Sequence, residues 1–177
     1  MRKSFSTHIL ILFVYFLFII LVQGWFELRY LYFIFGGVLG ALLPYSDYLV
    51  YVFFLRPQEE ISMQAFNLLN NRQVIKAFSL LIENTEKRTA QVLHTAHFNV
   101  IFLILTFLVM TSSGSLFGRG LVLSFSLHLL VDQLIDYRNF GNLDVWFEKT
   151  GIVLEKQFQN LYLLINSLVL LAFGIFM

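Results

Sequence analysis

The sequence predicts an all-α integral membrane protein with about five transmembrane helices and short amphipathic helices at the membrane interface. Of its 177 residues, 58% are hydrophobic, 18% are aromatic and only 13% are charged. Soluble domains are nearer half apolar and a quarter charged. No linker or internal repeat divides the chain, so residues 1–177 are interpreted as one membrane-embedded helical domain.

Five apolar runs are interpreted as spans, at about residues 8–22, 30–55, 89–110, 116–136 and 158–176. The first is interpreted as a retained span, because no small-residue cleavage site of the signal-peptide kind follows it. Pro44 predicts a kink or break near residues 40–44 of the second span. Gly36 and Gly40 form a Gly-x-x-x-Gly pair there, which allows another helix to approach closely.

The polar connections carry amphipathic patterns. Residues 71–84 place their apolar side chains on one helical face, and the piece from Ile61 to Leu69 does the same. A third amphipathic piece covers residues 143–157 and includes Trp146 and Val153. We interpret these pieces as helices that lie at the membrane surface or cap the bundle. A partner-binding helix and simple packing on the protein itself remain alternatives.

Charge predicts the orientation. With the N-terminus in the cytoplasm, ten Lys and Arg residues lie on the cytoplasmic side and only Arg29 and Arg119 on the other. This bias favours a multi-pass protein of the inner membrane with a cytoplasmic N-terminus. The net charge of +1 gives no argument for nucleic-acid binding. The absence of cysteine excludes disulfides, thiolate metal ligands and a cysteine nucleophile.

Six ionisable side chains within or beside the apolar runs are candidates for a common site. They are His8, Asp47, His94, His97, His128 and Asp132. With the rise of an α-helix, they fall roughly 6–14 Å inside the cytoplasmic ends of four spans. His128 and Asp132 are four residues apart and therefore share a helix face. Ionisable groups inside a membrane are costly and by default mark a functional site.

Imidazole and carboxylate groups are the ligands of zinc and similar divalent ions. A bound ion lowers the pKa of its water and makes a nucleophile near neutral pH. Simpler roles exist for each residue. His8 and His94 also suit the membrane interface, and Asp47 also suits the N-cap of a helix after Pro44. His128 and Asp132 also suit a hydrogen-bonded pair that fastens two spans.

Four short blocks carry a family resemblance. They are Thr7-His8, Leu-Pro-Tyr-Ser-Asp-Tyr at 43–48, Leu-His-Thr-Ala-His-Phe at 93–98 and Ser-Leu-His-Leu-Leu-Val-Asp at 126–132. Their order and spacing resemble the prokaryotic membrane-bound metal-dependent hydrolases, a family distantly similar to zinc-dependent phospholipase C and P1-type nucleases. Tyr45, Tyr48 and Val92 stand where that family has Asp, His and His. Trp146 lies where it often has an aromatic residue.

The resemblance implies one metal position built from His8, Asp47, His97, His128 and Asp132, with His94 able to take the role of the missing histidine. It also implies hydrolysis of an ester such as a phosphodiester or a phospholipid.

Three hypotheses follow. In the first, His97, His128 and Asp132 hold the ion of a hydrolase, and Asp47 is a ligand or the base that orients water. In the second, the chain is a catalytically decayed relative that serves as a membrane scaffold or partner subunit. In the third, His97 and His128 are axial ligands of haem in an electron carrier.

Overall fold

The computed structural model describes residues 2–84, 92–148 and 154–176, and its regular elements there are all helical. The α-helices are α1 (Arg2–Gln23), α2 (Leu31–Leu42), α3 (Ser46–Val50), α4 (Glu60–Asn70), α5 (Val74–Glu83), α6 (Ala96–Ser112), α7 (Leu116–Phe140), α8 (Asp144–Phe147) and α9 (Lys156–Ile175). Some predictions fall outside the described residues. These are the start of the third span at residue 89, the place of Val153 in the third amphipathic piece, and the cytoplasmic charges of Lys87, Arg88 and Lys149.

The α7 helix is the centre of the molecule and contacts α1, α2, α6 and α9. It begins where predicted, because the Ser115 side chain accepts a hydrogen bond from the Gly118 N–H. It runs past the predicted end at residue 136 and stops at Gly141, whose φ of 73° is left-handed. Residues 122–131 are all buried, so α7 is enclosed by the other helices.

Glycines bring α2 and α7 into backbone contact. A Cβ on Gly36 would overlap the carbonyl oxygen of Phe117, and one on Gly40 would overlap that of Leu121. From the other side, a Cβ on Gly120 would overlap the carbonyl oxygen of Phe33. Small residues at such positions let two helices pack closely. This close packing fixes the position of α2 against the helix that carries His128 and Asp132.

The predicted break in the second span is confirmed. A 3-10 turn at Leu43–Tyr45 contains Pro44 and separates α2 from α3, and a π-helical turn follows at Tyr51–Leu55. Proline has no N–H to donate to the preceding turn, which explains the change in winding. After the break, Tyr45 lies against His128 of α7, while Asp47 and Tyr48 lie against the segment that precedes α6.

Amphipathic helices are confirmed within residues 60–70 and 74–83, where α4 and α5 pack together as a hairpin. Ala65 on α4 and Leu81 on α5 are fully buried with Tyr48 and Val52, and Ile75 is 87% exposed. One face of the hairpin therefore packs on the protein itself.

By length and composition, two helical runs among the described residues are able to cross a membrane: Leu28–Leu55 and Lys156–Ile175. Two shorter apolar helices lie at Thr7–Gln23 and Ala96–Ser112. The core helix of a soluble protein or a signal sequence satisfies the same criterion. The all-helical fold is thus confirmed, while the arrangement with five spans stays a prediction.

Candidate metal centre

Three imidazole rings surround the carboxylate of Asp132, which lies on α7. The Nε2 atom of His8, on α1, is 2.7 Å from Oδ1. The Nε2 atoms of His94 and His128 are each 3.2 Å from Oδ2. Of these four residues, His8 and His128 are buried, while the Asp132 side chain is 22% exposed. Residues from α1, from the segment before α6 and from α7 therefore meet at one carboxylate.

His8, His128 and Asp132 form a compact set of donors, here called the three-residue group. One donor atom from each lies within 4.8 Å of the other two, the only such group found among the described residues. The four-residue spacing places His128 and Asp132 on the same face of α7. The rings of His8 and His128 are 4.6 Å apart between centroids. Such a set can hold a metal ion, as the sequence predicted for these three residues.

Asp47 holds the segment that precedes α6. Its carboxylate is buried and accepts hydrogen bonds from the backbone N–H groups of Val92 and Leu93, both at 3.0 Å. The Nδ1 atom of His94 lies 2.9 Å from Oδ2 of Asp47. Asp47 thus fixes one nitrogen of His94 while the other faces Asp132. No residue pattern pointed to the two backbone donors, because any residue type supplies them.

His97 does not join the group. The Thr95 side chain accepts a hydrogen bond from the Phe98 N–H, and this N-cap begins α6 at Ala96 instead of near residue 89. His94 therefore lies in a non-helical segment from which it reaches inward, while His97 is exposed on the first turn of α6. His97 therefore does not meet His128 and Asp132, as the predicted metal-ligand set required. It also does not face His128 across a space for haem, as the electron-carrier hypothesis required.

Aromatic rings enclose the imidazoles. The ring of Tyr45 meets the His128 ring edge-on at 4.9 Å, and Tyr48 lies parallel to His94 at 6.1 Å. Trp146, on α8, is 5.8 Å from the His94 ring. The two tyrosines that depart from the family pattern, and the tryptophan that follows it, are thus all next to a histidine of the site.

Two cavities open at the three-residue group. The larger, of about 840 Å³, lies between the 39–49 stretch and α5, and Asp132 is among its lining residues. The smaller, of about 350 Å³, lies between α1 and α2. Both are lined by His8, Leu42, Tyr45 and His128, and both are otherwise mostly apolar.

Two buried polar atoms at these cavities have no hydrogen-bond partner in the structure. They are Nδ1 of His128 and Oγ of Ser124. Buried polar groups are nearly always satisfied by protein, water or an ion. An external ligand at the cavities is one way to satisfy both.

Comparison with protein-family models, with curated proteins and with solved structures finds no match for this chain. The resemblance to the membrane-bound metal-dependent hydrolases therefore stays a prediction that is based on the four sequence blocks. The site defines a coarser class: a protein whose described regular elements are all helical, with a His-His-Asp group that can bind a metal ion and whose two histidines are buried.

Proposed function

We propose that this chain is a membrane-embedded, metal-dependent hydrolase. It cleaves a phosphodiester or a related ester bond in a phospholipid-like molecule. The observation that carries the proposal is the three-residue group at the wall of a large apolar cavity.

The donor set fits zinc. Two imidazoles and one carboxylate are the protein ligands of several catalytic zinc sites, which leave a further position open for water or substrate. His8, His128 and Asp132 would hold the ion, and Asp132 would supply the negative charge. Zinc held by such a set supplies a bound water whose pKa is lowered to about 7.

His94 is the group best placed to move a proton. Its Nδ1 atom is fixed by Asp47 at 2.9 Å, and its Nε2 atom faces the site at 3.2 Å from Asp132. Because both ring nitrogens face carboxylate oxygens, both donate, and the ring is held as an imidazolium. We therefore assign His94 as the general acid that protonates the leaving oxygen and Asp47 as the residue that orients it, in place of Asp47 as ligand or base. Both oxygens of Asp47 already accept hydrogen bonds.

The outer surface supports a location in a membrane. Exposed apolar side chains cover the outer faces of α1, α6 and α9, for example Phe13 at 64%, Ile101 at 66% and Leu164 at 55%. Apolar surface of this extent is rare on soluble monomers and is covered naturally by lipid chains. The proposal retains the five spans predicted from the apolar runs. It also retains a cytoplasmic N-terminus and a site that faces the cytoplasm, as the distribution of Lys and Arg predicts.

The substrate class follows from the larger cavity. Its walls include Leu39, Leu49, Phe78 and Ile82, and its imidazole and carboxylate lining belongs to the three-residue group. A molecule that fills it needs an apolar body and a polar end that reaches the donors. Phospholipids have this shape and are present in any membrane that holds the protein.

The test measures metal content and hydrolysis together. Purified full-length protein is analysed for zinc and assayed for release of products from phosphatidylcholine in mixed micelles, with His128→Ala, Asp132→Ala and His97→Ala as variants. We expect the first two variants to lose zinc and activity, and the exposed His97→Ala variant to keep both. Unchanged metal content in His128→Ala and Asp132→Ala would end the proposal.

A catalytically inactive scaffold is the second candidate. The observation that favours it is Tyr45, which stands where the resembled family has an acid and packs edge-on against His128. In that case the protein binds zinc in the assay above but hydrolyses no phospholipid, and the ion has no exchangeable water.

A further inference from the structure

The two cavities are two arms that meet at one polar point. The smaller arm follows α1 from His8 to Phe16, a distance of about 12 Å at the helical rise of 1.5 Å per residue. The larger arm follows α5 from Val74 to Ile82, again about 12 Å. Leu42 and Tyr45 line both arms, because they lie at the break between α2 and α3.

The shape of this space selects among amphiphiles. A ligand with one apolar chain fills one arm and leaves the other empty or filled with water against apolar walls, which is unfavourable. A ligand with two apolar chains joined at a polar group fills both arms and places that group beside His8 and His128. The junction is therefore matched to a lipid with two chains rather than to a single-chain detergent or lysolipid.

Ser124 adds a polar feature inside the smaller arm. Its side chain is fully buried on α7, it lines this cavity, and its Oγ atom has no hydrogen-bond partner in the structure. A buried hydroxyl that lacks a partner costs free energy, and an acceptor on the ligand removes that cost. The ester carbonyl near the head of an acyl chain is such an acceptor, whereas an ether-linked chain has none at that position.

From these observations we infer that the site binds a diacyl glycerolipid, with one acyl chain in each cavity and its head group at the three-residue group. The inference rests on the proposed function, because it names the substrate class of the same site. It goes further in requiring two chains and in assigning Ser124 to the ester carbonyl of the chain in the smaller arm.

The test is binding by metal-free, full-length protein in detergent, so that no hydrolysis takes place. The probes are dioleoylphosphatidylcholine and oleoyl-lysophosphatidylcholine, which share a head group, and bound lipid is counted by native mass spectrometry. Ala41→Trp fills the smaller arm, and Ile101→Trp, on the exposed face of α6, is the matched control. We expect Ala41→Trp to lose at least tenfold in affinity for the two-chain probe and nothing for the one-chain probe.

A smaller change covers the case in which Ala41→Trp fails to fold. Ser124→Ala should lower affinity for the diacyl probe by about threefold to tenfold, the effect of one hydrogen bond, and leave affinity for the dialkyl-ether analogue unchanged. Ser126→Ala is its control, because Ser126 lies on the same helix and is hydrogen-bonded to Thr106 at 2.9 Å.

The outcomes separate this inference from the proposed function. Equal effects of Ala41→Trp on the two probes, or of Ser124→Ala on the ester and ether lipids, would overturn the two-armed binding mode even in an active hydrolase. If the binding assay gives the expected pattern but the protein hydrolyses no lipid, the two-armed binding mode is supported and the proposed hydrolase activity is rejected.

Discussion

Replacing Asp132 with asparagine tests the metal centre with a minimal change in shape. Asp132 is the one carboxylate of the three-residue group and lies 2.7 Å from His8 and 3.2 Å from His128. A residue that only orients a metal ligand typically contributes roughly 10- to 100-fold in metal affinity. Because Asp132 is itself a donor, its replacement should exceed this range, with a loss of more than about 100-fold or about 2.7 kcal/mol.

The assay is competition for zinc between the purified protein and a chromophoric chelator near neutral pH. Asp136→Asn is the matched control, because Asp136 lies one turn further along α7, accepts a hydrogen bond from Trp146 and is outside the three-residue group. Circular dichroism and size-exclusion chromatography establish that each variant is folded. Equal zinc affinities for the wild-type protein, Asp132→Asn and Asp136→Asn would refute the reasoning.

Three further predictions address the same structure. Protons compete with zinc for imidazole nitrogens. Zinc affinity should therefore fall as the pH is lowered through the range near about 6.5 in which free histidine titrates. A pH-independent affinity in the chelator assay would contradict a site with two histidine ligands. Gly120→Ala should destabilise the protein by about 1–3 kcal/mol because its Cβ would overlap the Phe33 carbonyl, whereas Gly118→Ala, with no contact under 3.5 Å, should be neutral or stabilising in thermal unfolding. Trp146→Phe removes the donor at 2.8 Å from Asp136 and should lower the free energy of unfolding by about 1–3 kcal/mol, and an unchanged unfolding midpoint would show that the hydrogen bond is not formed.

The helices were predictable where a strong local pattern coincides with tertiary packing. Ser115 marks the start of α7, and Pro44 marks the break after α2, so both were placed correctly. The end of α7 was placed early, because the polar run after Asp136 indicates a membrane boundary and yet continues as helix to the αL glycine at Gly141. Charge marks where a span should leave the bilayer, but backbone geometry decides where the helix stops.

The site was predictable in composition and less so in arrangement. His8, His128 and Asp132 were expected to converge, and they do. The sequence placed His97 in the ligand set, whereas the structure places His94 beside Asp132. The difference comes from the start of α6 at the Thr95 N-cap, because the start of the helix decides which histidine faces inward. The prediction treated residues 89–95 as helical. In the described part of this segment, residues 92–95 are not helical.

The contact between α2 and α7 has a mechanical consequence. Because their backbones are in contact at Gly36, Gly40 and Gly120, we expect these two helices to move together as one frame. The α1 helix meets α2 through side chains, such as the ring of Phe16 stacked on that of Phe33 at 4.7 Å. Any swelling of the space between α1 and α2 therefore displaces α1 and moves His8 away from the frame. A ligand that widens the smaller cavity therefore also increases the distance from His8 to the other two metal donors, His128 and Asp132.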